Sequence, residues 1–140
     1  MPDEKDSFFI ISHSGNYDRL YQTVTIAVTA ASLGDNVYVV LFFDALKKFV
    51  EGNMDKEDLS EDMGEEKGEV YKKMKTMNPL SMQEMIDTVK PLGNLNFIAC
   101  SANVEFMGLD KKRVEGKVDE IMGLPTILRM MKESKNQLYI

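Results

Sequence analysis

The 140-residue sequence has one cysteine, one histidine and no tryptophan. The single cysteine, Cys100, excludes an intramolecular disulfide and any zinc site that needs paired cysteines. The lone histidine, His13, excludes metal motifs that use two histidines. A metal held by carboxylates alone stays open at this point, but the sequence predicts no metal site and no cofactor.

Long apolar runs are also missing. The longest clean run, residues 37–43, has seven residues, whereas a helix needs ~20 to span a bilayer. The first residues, MPDEK, lack the basic and apolar regions of a signal peptide. We therefore expect no membrane span, a cytoplasmic location and a reduced thiol.

Negative charge is concentrated in one part of the chain. Residues 51–70 carry nine carboxylates and two lysines, a net charge of −7, while the whole chain has −6. The remainder is therefore almost neutral and shows no basic stripe with interleaved aromatics, so nucleic acid is not an expected partner. The ordinary interpretation of the acidic run is a solvated loop or helix face.

Apolar runs and helix-period segments alternate along the chain, as is typical of an α/β fold. Strands are predicted at residues 7–12, 37–43, 95–99, 118–122 and 137–140. Helices are predicted at residues 17–33, 44–50, 69–77, 81–89, 104–107, 111–115 and 125–135. We expect one domain over 1–140, a flavodoxin-like three-layer fold with a five-stranded, mainly parallel sheet.

Some helix starts carry local signals. Ser81 followed by Glu84 predicts a capping box, and Asp44 is predicted as the N-cap of the helix after the second strand. Between these two helices, residues 51–78 form an acidic, methionine-rich helical insert. Methionine suits irregular contact surfaces and cores alike, so a lid, an oligomer contact and a core role all stay open for this insert.

Three loops bring reactive or anion-binding groups to one edge of the predicted sheet. In open α/β sheets, ligands bind at the carboxyl ends of the strands. The candidate pocket residues follow the first three strands and are His13, Ser14, Gly15, Asn16, Asp44, Cys100 and Ser101. Backbone N–H groups of the first loop could cradle an anion, which leaves a nucleotide or flavin binder as one hypothesis.

Cys100 is the sharpest candidate for chemistry. Cys100–Asn103 is predicted as a turn between the third strand and a helix, and the positive end of a helix favours a thiolate. Cysteine is also among the most buried residue types, so a structural Cys100 stays an alternative. With one thiol, the chemistry left is transfer between molecules, such as carrying a persulfide or thiosulfonate, a one-cysteine peroxidase or adduct formation.

The sequence resembles the DsrE/DsrF-like family along nearly its whole length. The resemblance is carried by the stretches FFIISHSGNYDRLY, NVYVVLFFDAL and NFIACSANVEFMGLDKKRVEGKVDEIMGLPTIL. It implies a flavodoxin-like sheet, a homo-oligomer that is a trimer or a multiple of one, and a role in cytoplasmic sulfur relay. In relay members the cysteine at the position of Cys100 carries the sulfur. The branch it resembles is often labelled peroxiredoxin family protein, although no Thr-x-x-Cys motif precedes Cys100.

Two function classes follow. In the first, the protein is a possible sulfurtransferase or sulfur carrier, in which Cys100 accepts sulfane sulfur or thiosulfonate and passes it to a small carrier protein. In the second, the protein is a non-catalytic oligomeric binding or scaffolding protein of the same fold, in which Cys100 is structural. In that case residues 51–78 would dock a partner or a neighbouring protomer.

Overall fold

The predicted strands assemble into one parallel sheet. The computed structural model describes residues 6–140, so the MPDEK start, on which the signal-peptide expectation rests, lies outside them. The strands are β1 (Ser7–Ser12), β2 (Asn36–Leu41), β3 (Leu95–Cys100), β4 (Glu120–Met122) and β5 (Asn136–Tyr139). Their order is β4-β3-β2-β1-β5, and every pair is parallel. The α/β fold class and the five-stranded sheet are confirmed.

One or more helices follow each of the first four strands. They are α1 (Tyr17–Ser32), α2 (Phe43–Glu51), α3 (Lys67–Met77), α4 (Met82–Val89), α5 (Ser101–Phe106), α6 (Lys111–Glu115) and α7 (Leu124–Lys132). The connections from β1 to β4 all step the same way across the sheet, whereas the connection to β5 crosses back past β1. Because such crossovers are right-handed, α7 lies on the opposite face from α1.

Two separate cores confirm this three-layer arrangement. The larger core joins one face of the sheet to α1, α2 and α4. The smaller core covers the other face, and α7 is the only described helix that contributes side chains to it. Its buried members are Phe9, Ile11, Val40, Ile98, Cys100, Ile127 and Met131. The central strands are thus buried on both sides, which is why their sequences read as continuous apolar runs.

Two of the boundaries that differ from the sequence prediction bear on the candidate site. The second strand ends at Leu41, and α2 begins at Phe43, so Asp44 is the second helical residue and not the N-cap. After β3 there is no separate turn, because α5 begins at Ser101, directly after Cys100. By contrast, the Ser81–Glu84 capping box is present with both of its hydrogen bonds, since that motif is complete within four residues.

Residues 52–66, which we call the acidic strap, pack across the start of α1. The carbonyl oxygen of Asp58 accepts a hydrogen bond from the backbone N–H of Tyr17 at 2.8 Å. Asp18 in turn accepts from the backbone N–H of Ser60 at 2.8 Å. Met54 and Leu59 are buried in the larger core. The strap is therefore a packed part of the domain, although most of its carboxylates face water.

Helix α3 is attached to α1 through aromatic rings. The ring of Tyr71 meets that of Tyr17 edge-on, with centroids 4.8 Å apart, and the Lys75 ammonium lies over both rings. Burial, reinforced by the negative charge of Asp55 and by Tyr71 and Tyr21, raises the pKa of Tyr17 from 10.0 to about 12. Neutral Tyr17 is thus favoured by the folded state.

We expect the stability of the protein to decline between pH 10 and about 12 in a way that depends on Tyr17. In this window the unfolded chain has released the Tyr17 proton while the folded chain still holds it, so unfolding is favoured as the pH rises. Urea unfolding of Tyr17→Phe across this range should show a shallower decline than wild type. Tyr139→Phe, which removes an exposed phenol, is the control; equal slopes for all three proteins would contradict the expectation.

Candidate functional site

The ends of β1, β2 and β3 meet at one edge of the sheet. Ser12 pairs with Leu41, and Leu41 pairs with Ala99, so the three strands end at the same level. The segments after them therefore lie along a common edge. Across the sheet, the first loop (residues 13–16, after β1) comes first, then the turn between β2 and α2, and then Cys100 at the end of β3. Because β2 runs between β1 and β3, the first loop and Cys100 are separated by two strand spacings, roughly 10 Å.

Cys100 closes β3 and is buried. Its exposed fraction is 3%, and its sulfur is a free thiol. The smaller core around it consists of uncharged side chains, with Phe42 and Met122 among the half-buried ones packed against it. Met122 is its direct neighbour in β4. The thiol therefore lies at the carboxyl edge, as the sequence predicts, but under an apolar cover.

His13 and Asp44 do not join Cys100. His13 is exposed, its backbone N–H donates to the Ile140 carbonyl at 2.9 Å, and its ring lies 5.2 Å from that of Phe43. Asp44 faces the first loop, since a Cβ built on Gly15 would overlap its carboxylate. Among the described residues, no hydrogen bond or ion pair links either side chain to Cys100.

The first loop is closed by contacts within the protein. Ser14 donates from its hydroxyl to the Asn16 side-chain oxygen at 2.8 Å, and Asn16 reaches the Asp58 carbonyl oxygen at 3.4 Å through its amide nitrogen. Lys48 donates to the Gly15 carbonyl at 3.1 Å and forms an ion pair with Asp58 at 2.7 Å. The strap thus occupies three donors beside this loop: the Asn16 amide, the Lys48 ammonium and the Tyr17 backbone N–H. Together with the Asp44 carboxylate that faces Gly15, this argues against a nucleotide or flavin at the loop.

Ser101 points away from the smaller core. It is exposed and lines an open cavity of about 440 Å³ outside β4, together with Lys111, Glu115 and Glu120. Although Ser101 follows Cys100 in the chain, the two side chains therefore belong to different surroundings. No group of three or more potential metal ligands comes together within the described part of the chain, residues 6–140.

The structure adds two residues to this edge that sequence reasoning missed. Asn103 is buried, with 4% of its surface exposed, and its side-chain oxygen accepts a hydrogen bond of 2.7 Å from the backbone N–H of Phe43. Phe43 has a φ of 40°, and its ring stacks on the exposed ring of Phe106. Nothing in the sequence indicates this contact, because 60 residues separate its two partners.

The comparisons with known proteins support the fold. No family model and no curated protein matches the chain. Among solved structures, the ychN protein from E. coli matches with a TM-score of 0.63 and 14% identity, covering 96% of this chain and 98% of that chain. The ychN protein has a DsrE/DsrF-like fold. At this identity the likeness shows a shared fold.

Within residues 6–140, no helix is long and apolar enough to cross a bilayer.

We expect Gly15→Ala to lower the free energy of unfolding by about 1–3 kcal/mol, because the new methyl group has no room beside Asp44. Gly116→Ala is the matched control, since its Cβ would make only ordinary contacts and alanine there should add up to about 1 kcal/mol. Urea denaturation measures both values. A Gly15→Ala protein as stable as wild type would contradict the close approach of the first loop to α2.

Proposed function

We propose that the protein is a sulfur-relay protein of the DsrE/DsrF-like family, with Cys100 as the residue that carries sulfane sulfur. The observation that carries the proposal is the position of the chain's only thiol, at the carboxyl end of β3 and directly before α5. Two findings support it: the sequence resembles this family around Cys100, and the fold matches that of the ychN protein.

The proposed chemistry needs one thiol and two partners. The Cys100 thiolate attacks the outer, sulfane sulfur of a donor persulfide, the S–S bond of the donor breaks, and the donor thiolate leaves with the electron pair. Cys100 then holds the persulfide. A thiolate on a small carrier protein attacks the outer sulfur in turn, and the Cys100 thiolate is released. No net oxidation occurs, since the sulfane sulfur only changes its partner.

A structural role for Cys100 is the second candidate. The observation that favours it is the burial of the thiol among uncharged side chains, since a well-packed cysteine behaves as a small apolar residue. In that case the protein is a non-catalytic binding or scaffolding protein of the same fold. The two candidates differ in one measurable property, the ability of Cys100 to take up sulfur.

Sulfur loading separates these candidates. We expect incubation with sodium polysulfide, and in a separate sample with thiosulfate, to add sulfur to the wild-type chain by intact-mass spectrometry. A reductant should remove the added mass, and Cys100→Ser should remain unchanged. A persulfidated small carrier protein is a third donor. Absence of added mass from all three donors, or the same added mass on Cys100→Ser, would overturn the relay proposal.

The proposed relay protein is cytoplasmic.

We also propose that it self-associates through the face of the sheet that α7 covers. Helix α7 has nine residues and lies over a five-stranded sheet, so it covers only part of its face. Beside it runs a groove of about 270 Å³ whose lining is apolar on one part, with Tyr38, Met122 and Met130, and polar on another, with Asn96, Asp119 and Glu120. Leu128 on α7 is 46% exposed. We propose that a second copy of the chain covers this face in a homo-oligomer, a trimer or a multiple of one.

We expect wild type to have the mass of an oligomer in light scattering, and Leu128→Glu to shift it toward the monomer, because a charge would be buried at the contact. Leu33→Glu changes a leucine that is 81% exposed on the opposite side of the sheet, and it should leave the mass unchanged. A monomeric wild type would contradict self-association, and an unchanged Leu128→Glu would contradict the choice of face.

A further inference from the structure

The turn between β2 and α2 holds a strained residue. Phe43 is the one non-glycine residue with a positive φ, 40°, within residues 6–140. A side chain with a Cβ is disfavoured there, and more so when it is bulky, so the surrounding structure must hold the conformation in place. Such strain gives a segment a second conformation of lower local energy that it can adopt once it is released.

One buried side chain holds this residue. The Asn103 side-chain oxygen accepts the Phe43 N–H at 2.7 Å, and Asn103 is nearly inaccessible to water. The Asn103 end of this part-buried hydrogen bond is buried, so breaking the bond is costly because the freed amide oxygen then lacks a partner. The contact between Phe43 and Asn103 therefore opposes the strain in the turn.

Both sides of this contact adjoin the thiol. Asn103 lies three residues after Cys100, in the first turn of α5. On the other side, Phe42 precedes Phe43 and packs against the smaller core that contains Cys100. Leu41, the last residue of β2, pairs with Ala99. The residues that follow this pair are Phe42 and Cys100, of which Cys100 belongs to the smaller core and Phe42 packs against it. A change at Phe43 thus acts directly on its neighbour Phe42, which packs against the core that buries the thiol.

We propose that Asn103 and Phe43 form a latch that keeps Cys100 buried, and that release of the Phe43 N–H is the motion that exposes the thiol. When the hydrogen bond breaks, Phe43 relaxes to a negative φ and Phe42 is displaced from the core that buries Cys100. Asn103 is a positioning residue here, since it acts on the thiol through the turn. The opening motion is inferred from the structure alone. Its role in sulfur transfer rests on the proposed function.

The latch predicts different labelling rates for two variants of Asn103. Asn103→Ala removes the acceptor, and we expect the native protein to react with iodoacetamide at Cys100 about tenfold faster than wild type. Asn103→Asp keeps an acceptor oxygen at the same position and should restore a rate close to that of wild type. Because the chain has one cysteine, intact mass after labelling reports on Cys100 alone.

A second pair of variants isolates the backbone strain. Phe43→Gly and Phe43→Ala both remove the ring that contacts Phe106 and His13, and they differ only in the Cβ. Glycine accepts a positive φ without strain, so the closed latch is favoured, and Phe43→Gly should label about fivefold more slowly than Phe43→Ala. Equal rates for this pair would overturn the proposal, whether or not Asn103→Ala folds.

Global unfolding must be separated from local opening. Labelling rates are measured at several low urea concentrations beside the urea denaturation curve of each variant. A local opening exposes little surface, so its rate should change little with urea, whereas labelling through the unfolded state rises steeply. Rates that follow the global unfolding constant in every variant would overturn the latch, as would an Asn103→Ala protein that labels like wild type.

The latch and the relay function can fail separately. If polysulfide adds no sulfur to Cys100 while the variants label in the predicted order, the latch stands and the relay proposal fails. If Cys100 takes up sulfur but the variants label at equal rates, the relay proposal stands and the latch fails. Iodoacetamide is used because it needs only an accessible thiol and no sulfur donor.

Discussion

The burial of β1, β2 and β3 on both faces of the sheet is the constraint on which the rest of this structure depends. A parallel sheet leaves no face free to hold polar side chains, so apolar residues must follow one another along each strand. The pairing of Ser12 with Leu41 and of Leu41 with Ala99 then brings three strand ends to one level. Every candidate site residue lies at one of these ends or among the first residues that follow it.

The acidic strap shows how a highly charged segment becomes part of a folded domain. Its polar groups accept hydrogen bonds from backbone N–H groups at the first residues of two helices. The Asp58 carbonyl accepts from the first N–H of α1, and the Asp55 carboxylate accepts from the first N–H of α4 at 3.2 Å. Lys48 and Arg19 provide positive partners for two strap carboxylates. The same contacts close the first loop. The end of β3, with Cys100, is therefore the stronger candidate site.

At the end of β3, the packing that positions the Cys100 thiol also buries it. The smaller core excludes water from Cys100 and surrounds it with uncharged side chains. A thiol in such a place is guarded against solvent oxidants, but transfer to another molecule then requires an opening. The strained Phe43 and the buried Asn103 stand where such an opening would start, which links the fold of the turn to the proposed chemistry.

The sequence by itself determined the features that depend on neighbouring residues. The apolar run of β1, the spacing of α1 and the Ser81–Glu84 capping box were all predictable, because their interactions are complete within a few residues. The predicted cap at Asp44 was wrong, because β2 ends earlier, at Leu41, and the helix starts one residue sooner. The family resemblance likewise predicted the fold type and drew attention to Cys100, but not what surrounds it.

Only the tertiary structure decided the strand order, the burial of Cys100 and the separation of His13 and Asp44 from it. These features depend on contacts between residues far apart in the chain, such as the 60-residue separation of Phe43 and Asn103. Local patterns carry no information on which strand lies beside which, since every buried strand has the same apolar character. The sequence therefore indicated which residues follow the strand ends, whereas their mutual arrangement, and the contact between Phe43 and Asn103, followed from the order and register of the sheet.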